Sequence, residues 1–371
     1  MREETLPLLA AAPGCPRHLT VLRFGTPGAR PKAYLQAALH ADEVPGMLVL
    51  HHLRGLLSHL EQEGAIRGEV VLVPVANPIG LSQQVLGSPV GRFSVADGTN
   101  FNRHFPDLFP VVRDEVAARL GPDAPANVEV VRAALATALA AVDAPTATQH
   151  LKRTLLALAI DADLALDLHC DGEALLHGYT LHALEGALTP LARLLGMRAL
   201  LLADDSGDDP FDEAISRPWL RLAQAFPQHP LPLAGVAATL ELRGEADVDH
   251  DVARRDARAL LDFLALRGVV ALPPPALPEA HCRPSALAAS EPIVVPHAGI
   301  IAFVRALGDT LGAGDTVAEL IDPASGSVTP VVTRAGGLLY ARCASRQAVP
   351  GKRIAKVAGT HLNRTGRLLS P

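Results

Sequence analysis

The sequence predicts an α/β protein with a mostly parallel, mixed sheet flanked by helices, followed by a small C-terminal all-β domain. Three observations carry this prediction. Short apolar runs alternate with helix-length amphipathic segments from residue 19 to residue 267. Some of the runs, such as Glu69-Val70-Val71-Leu72-Val73, are dense enough in β-branched residues for a buried parallel strand. The chain then crosses a stiff connector, Leu272-Pro273-Pro274-Pro275-Ala276-Leu277-Pro278, into short strand candidates separated by glycine turns. The expected units are therefore residues 1–275 and residues 285–371.

Residues 19–23 and 32–39 read as strands around a Gly/Pro turn at 25–31. A polar loop follows, Pro45 suits a first helical position, and residues 47–60 have helical periodicity. Residues 69–75 form the next strand. The long polar stretch 77–106 has the composition of a binding loop rather than a linker, and it carries Arg92 and Asn100-Phe101-Asn102-Arg103. Helices are expected at 112–120, 128–142, 147–160, 211–225 and 247–267, and strands at 164–169, 179–183, 199–202 and 236–241. Beyond the connector, strands are expected at 293–295, 299–306, 316–321, 328–333 and 337–343.

Net charge is -6 with no basic block, and aromatics are only 4%, which argues against nucleic acid and anionic membrane surfaces as partners. No apolar run reaches bilayer-spanning length. The first residues, Met1-Arg2-Glu3-Glu4, are acidic where a signal peptide is basic. Four scattered cysteines form no Cys-x-x-Cys pair and suit a reducing compartment, so the expected location is cytoplasmic. The sequence leaves a homo-oligomer open.

Two strand candidates share one feature: the runs ending at His40 and at His169 each finish in histidine and open into a polar loop. Side by side in a parallel sheet, they bring both histidines to the carboxyl edge, where open α/β sheets bind ligands. Glu43 lies in the His40 loop. His40, Glu43 and His169 make a His₂Glu set, a ligand set used by catalytic zinc, and one zinc per chain is expected. The spacing alone is weak, because His182-Ala183-Leu184-Glu185 has it too and the chain holds 15 histidines. Cys170 and Asp171 are alternative ligands if the register slips.

Zinc lowers the pKa of a bound water toward ~7, and the attack then needs a base. Glu241 ends a third apolar strand and is the candidate. Arg92 is a candidate to polarise a carbonyl, and Asn102 with Arg103 to bind a substrate carboxylate. Strand alternation puts Arg243 on the face of Glu241, where it would add a second positive group for a diacidic substrate. Asp167, two residues before His169, is a candidate to orient that histidine.

His40-x-x-Glu43, Asn77-Pro78, Arg92, Asn102-Arg103-x-Phe105-Pro106, Asp167-Leu168-His169 and Glu241 occur in this order. The set resembles the succinylglutamate desuccinylase/aspartoacylase family, a branch of the zinc carboxypeptidase superfamily, over residues 15–270. The resemblance implies a zinc-dependent amidohydrolase that removes the acyl group of a small N-acyl amino acid. His40, Glu43 and His169 would be the ligands, Glu241 the base, and Arg92, Asn102 and Arg103 substrate-binding residues. The chain departs from the pattern at Ala41-Asp42, where relatives carry Gly-Asn, and at Asn100-Phe101, where they carry Asp-Leu. Two rival readings are a metallocarboxypeptidase acting on peptides and a non-catalytic binding protein of the same fold.

The C-terminal region has the glycine-turn rhythm of a biotinyl/lipoyl-like domain. The turn that would present an attachment lysine reads Arg334-Ala335-Gly336-Gly337, and the nearest lysines are Lys352 and Lys356. A structural or access-limiting role is expected rather than a carrier.

Overall fold

A computed structural model describes residues 1–361 and 364–369. Leu362, Asn363, Ser370 and Pro371, all in the expected 285–371 unit, lie outside the described residues. The main sheet contains β1 (Arg2–Leu8), β2 (Arg17–Gly25), β3 (Lys32–Ala37), β4 (Glu69–Val73), β5 (Leu164–Asp171), β6 (His177–Thr180), β7 (Ala199–Leu202), β8 (Val236–Gly244) and β9 (Ser285–Ala286). Their spatial order is β1-β2-β4-β3-β5-β8-β6-β7-β9. The β4-β3, β3-β5, β5-β8, β6-β7 and β7-β9 pairs are parallel, while β1-β2, β2-β4 and β8-β6 are antiparallel. This is the mixed, mostly parallel sheet that the sequence predicts.

Seven helices of nine residues or more cover the sheet: α1 (Pro45–Gln62), α2 (Phe109–Ala117), α3 (Ala124–Ala140), α4 (Ala147–Ala159), α5 (Glu185–Leu195), α6 (Phe211–Ala225) and α7 (His250–Leu266). Strand alternation divides the core in two. Leu35, Leu166, Leu168 and Leu240 face α1, α5 and α7, packing with Leu50, Leu53, Leu191 and Leu260. Tyr34, Val71, Ala165 and Ala237 face the other way, toward Val112, Leu135, Leu155 and Trp219 from α2, α3, α4 and α6. Each leucine or valine among them contributes ~1.5–3 kcal/mol by burial, against the entropy lost on ordering it.

Strand β1, which contains Pro7, is an addition to the sequence reading, whose first expected strand is at 19–23. Edge strands tolerate proline because one row of N–H groups has no ladder partner, and β1 is the edge next to β2. The C-terminal region also gains a strand, Arg353–Ala358, which pairs with Ser290–Val294 and Gly337–Arg342. A second antiparallel sheet contains Gly299–Phe303, Thr316–Ile321 and Val328–Val332, and the two enclose a core that includes Ile301, Val317, Leu339 and Val357. The Arg334 turn is anchored, since the backbone N–H groups of Arg334 and Ala335 and the Arg334 guanidinium all donate to Glu291.

Pairing crosses the proline connector in both directions. Strand β9 joins the main sheet beside β7, and Glu173 and Ala174 pair with Arg342 and Ala341. The C-terminal strands therefore sit next to the segment that follows β5.

One close approach holds the loop after β3. The Ala41 N–H donates to the Gly91 carbonyl, and a Cβ on Gly91 would lie 2.2 Å from Asp42 N. Only a residue without a side chain lets the two loops touch. Gly91→Ala is expected to destabilise the protein by ~1–3 kcal/mol through this overpacking, measured as a lower urea midpoint with unchanged slope.

Candidate metal centre and substrate cavity

The three central strands run parallel, and their carboxyl ends build the site. Ala37 pairs with Leu168, and His169 pairs with Glu241, so the ends of β3, β5 and β8 lie in register. After β3, Ala38 takes a left-handed φ of 60° and the chain turns, with the Glu43 N–H donating to the His40 carbonyl. Asn77 fixes this turn: its Nδ2 donates to the Leu39 carbonyl while its Oδ1 accepts from Gly80 N–H. Pro45 then opens α1 without a side-chain cap.

His40, Glu43 and His169 converge. One ligand atom from each lies within 4.8 Å of the others, and all three residues are buried. Glu43 Oε1 is 3.0 Å from His40 Nδ1, and Oε2 is 2.7 Å from His169 Nδ1. The far ring nitrogens are also occupied. His40 Nε2 is 2.9 Å from Asn100 Oδ1, and His169 Nε2 is 2.8 Å from Asp167 Oδ2. With Asn100 Oδ1 and Asp167 accepting from the two Nε2–H groups, each Nδ1 is directed at Glu43, and a metal that displaced the protons shared there would find both Nδ1 atoms and the carboxylate as donors. The donor set fits a divalent metal ion.

The electrostatics follow from burial against charge. Burial lowers the His40 pKa to about 4, helped by Arg92. Burial opposes a proton on His169, yet Asp167 and Glu43 hold its pKa well above the ordinary value. Glu43 is pushed up by burial but pulled well below the usual carboxylate range by the two histidines. Glu241 rises to about 8, through burial and the nearby Asp171 and Glu43 carboxylates. Its Oε2 is buried with no hydrogen-bond partner among the described residues.

The other predicted site residues separate into two groups. Arg92 Nη1 lies 3.1 Å from both Glu43 Oε1 and His40 Nδ1. Asn102 Oδ1 accepts from the Phe211 N–H, which turns Nδ2 toward the His169 ring at 3.3 Å. Arg103 is 5% exposed, and its Nη1 donates to the Asn102 carbonyl. These residues line one cavity together with His40, His169 and Glu241. Arg243 does not join them, which corrects the expectation from strand alternation. The β5-β8 register shifts between Glu241 and Gly244, and Arg243 has a φ of 67°. That break turns its side chain toward α7, where it makes a bidentate pair with Asp256 at 2.7 and 3.0 Å.

The cavity also contains residues that sequence reasoning missed. Lys356, from the strand Arg353–Ala358, reaches in and pairs with Asp171. Tyr179, Ser206 and the first turn of α6, with Asp212 and Glu213, complete much of the wall. Lys152 of α4 staples the binding loop, its Nζ donating to the Asn100 and Arg103 carbonyls at 2.9 and 2.6 Å. Burial lowers its pKa to about 8. The sequence signal for Lys152 is its place as the sixth residue of α4 on the face shared with Thr148, Leu155 and Ala159. Lys356 has no local signal at all.

Comparison with known proteins bears on this site directly. The profile of the succinylglutamate desuccinylase/aspartoacylase catalytic domain matches residues 29–119, the segment holding His40, Glu43, Arg92, Asn102 and Arg103. Over that segment the chain is similar to the succinylglutamate desuccinylase/aspartoacylase family. A family protein from Shewanella amazonensis SB2B superposes with a TM-score of 0.85 at 28% identity, over 96% of this chain and 98% of that one. A second, from Shewanella frigidimarina NCIMB 400, gives 0.86 at 25% identity over 97% of both chains. A third, from Rhodobacter sphaeroides, shares the fold at 16% identity, with a TM-score of 0.68 over 97% and 96% of the two chains. No curated protein matches the sequence. The family is one of hydrolases acting on small molecules, and no helix among the described residues is long and apolar enough to cross a membrane.

The acceptor behind His169 gives a test. Asp167→Asn removes the charge that orients the ring and is expected to weaken metal affinity roughly 10- to 100-fold. Competition with a chelating dye reads this directly, and unchanged affinity would remove Asp167 from the centre.

Proposed function

We propose that the protein is a zinc-dependent hydrolase, with one zinc per chain, that cleaves the amide bond of a small N-acyl amino acid. The convergence of His40, Glu43 and His169 beside Glu241 carries this reading. His40 and His169 through Nδ1, and Glu43 through its carboxylate, would hold the metal. When bound, zinc supplies Lewis-acid activation of water and of the acyl carbonyl.

The remaining work falls to the chain's own groups. Glu241 takes the proton of the attacking water on a carboxylate oxygen and returns it to the departing amine. An unpaired, buried Oε2 and a pKa lifted to about 8 by burial, Asp171 and Glu43 support a proton-handling role. Arg92, partly exposed beside Glu43, is the group for the developing oxyanion. Asn102 and Arg103 receive the amino-acid carboxylate.

The cavity favours a small substrate over a peptide. Leu287, Lys356 and Leu369 close its wall from beyond the connector, in line with residues 1–275 as the catalytic unit and residues 285–371 as an access-limiting β unit without an attachment lysine. The four free cysteines support a cytoplasmic location.

Assays with zinc on N-acetyl, N-succinyl and N-formyl amino acids, beside short peptides, test the reaction class. Hydrolysis of the acyl amino acids with little cleavage of peptides is expected, and the reverse order would overturn the deacylase reading. Glu241→Gln is expected to keep its zinc by metal analysis while kcat falls at least ~100-fold. A near-normal kcat would remove Glu241 as the base.

A further inference from the structure

The wall formed by α6 has a charge pattern that deacylation alone does not use. Asp212 and Glu213, in the first turn of α6, line the cavity with Ser206. Asp212 is 6% exposed, its hydrogen bonds come from the backbone N–H groups of Asp212 and Glu213, and it forms no ion pair among the described residues. Ser206 is 3% exposed, and its Oγ has no hydrogen-bond partner among the described residues. A buried carboxylate and an unengaged hydroxyl thus lie together on the wall of a substrate cavity. Both accept hydrogen bonds.

The cations nearby are already shared. Asp208 pairs with Arg367 at 2.9 Å, and Glu213, Asp205 and Asp209 all draw on Arg217. Asp212 is left with the fields of His169 and Arg103, against that of Asp167, and Arg103 also feels Asp208 and Glu213. When a substrate carboxylate occupies Arg103, the compensation for Asp212 is divided again, and a buried carboxylate without a counter-charge is costly. A second acidic group on the substrate would increase that cost. Arg243 is committed to Asp256, Lys356 to Asp171 and Arg92 to Glu43, so these three cations are already engaged when such a group arrives.

We propose that the amino-acid half of the substrate carries a cationic side chain, an ammonium or guanidinium, received by Asp212 with Ser206 Oγ as a second acceptor. This rests on the deacylase reading and names its substrate class. The substrate's carboxylate goes to Arg103 and its cation to Asp212, so the bound molecule restores the charge balance that it disturbs. Asp212 is then a specificity residue, and binding discriminates by charge as well as by size.

The test uses the zinc-loaded full chain with Nα-acetylornithine and Nα-acetyllysine against Nα-acetylleucine, Nα-acetylaspartate and Nα-acetylglutamate. The cationic substrates are expected to exceed the neutral one in kcat/KM by about tenfold or more, with the acidic ones lowest. Asp212→Asn is expected to cut the cationic-to-neutral ratio about tenfold, chiefly through KM. Equal or better turnover of neutral or acidic substrates by the unaltered protein overturns the assignment, whether or not the variant folds. So does an unchanged ratio in a folded variant.

Calorimetry with free ornithine and free glutamate gives a readout without turnover. Tighter binding of ornithine supports the Asp212 wall, and equal or tighter binding of glutamate overturns it. Ornithine binding without hydrolysis of any acyl amino acid would sink the deacylase reading and leave the wall. Hydrolysis without charge preference would do the opposite.

Discussion

The Glu43 carboxylate is the interaction on which the site depends. One oxygen meets His40 and Arg92, and the other meets His169 and the Cys170 N–H. A three-residue turn after β3 is thereby tied to the end of β5. Burying that charge is costly unless each lone pair is used. Here the partners come from the β3 loop, the long loop after β4 and strand β5. Losing the carboxylate would leave two buried histidines facing each other with ring centroids 4.9 Å apart.

Register supplies the rest of the precision. Parallel pairing of β3, β5 and β8 fixes where each strand ends, so His169 and Glu241 become neighbours without any direct side-chain bond between them. The same strand that delivers Glu241 then breaks its pleat, and two residues later Arg243 serves α7 instead. Bulges of this kind re-aim a side chain at low cost, and they are common beside sites.

This explains what was legible in the sequence. The alternation of apolar runs and amphipathic helices reported the two-faced sheet, since the central strands β3, β4 and β5 bury both faces. His40, Glu43, His169 and Glu241 were readable because each follows an apolar run that must end at the same edge. The decoy at His182 shows the limit of spacing by itself: that histidine is half exposed, near Asp204, and follows β6, which runs antiparallel to β8 and so ends at the opposite edge. Arg243 misled because period-two reasoning assumes an unbroken strand. Lys356, Ser206 and Asp212 were invisible for another reason, since their nearness to the triad depends on contacts between distant parts of the chain.

The Lys356 strand has a consequence for biosynthesis. A chain leaving the ribosome has all of its metal-ligand candidates long before the strand that brings Lys356 to the cavity. Until that strand pairs, Asp171 lacks its ammonium partner and the cavity lacks part of its wall. A chain that stops short of that strand therefore owns the triad and still lacks part of the pocket wall.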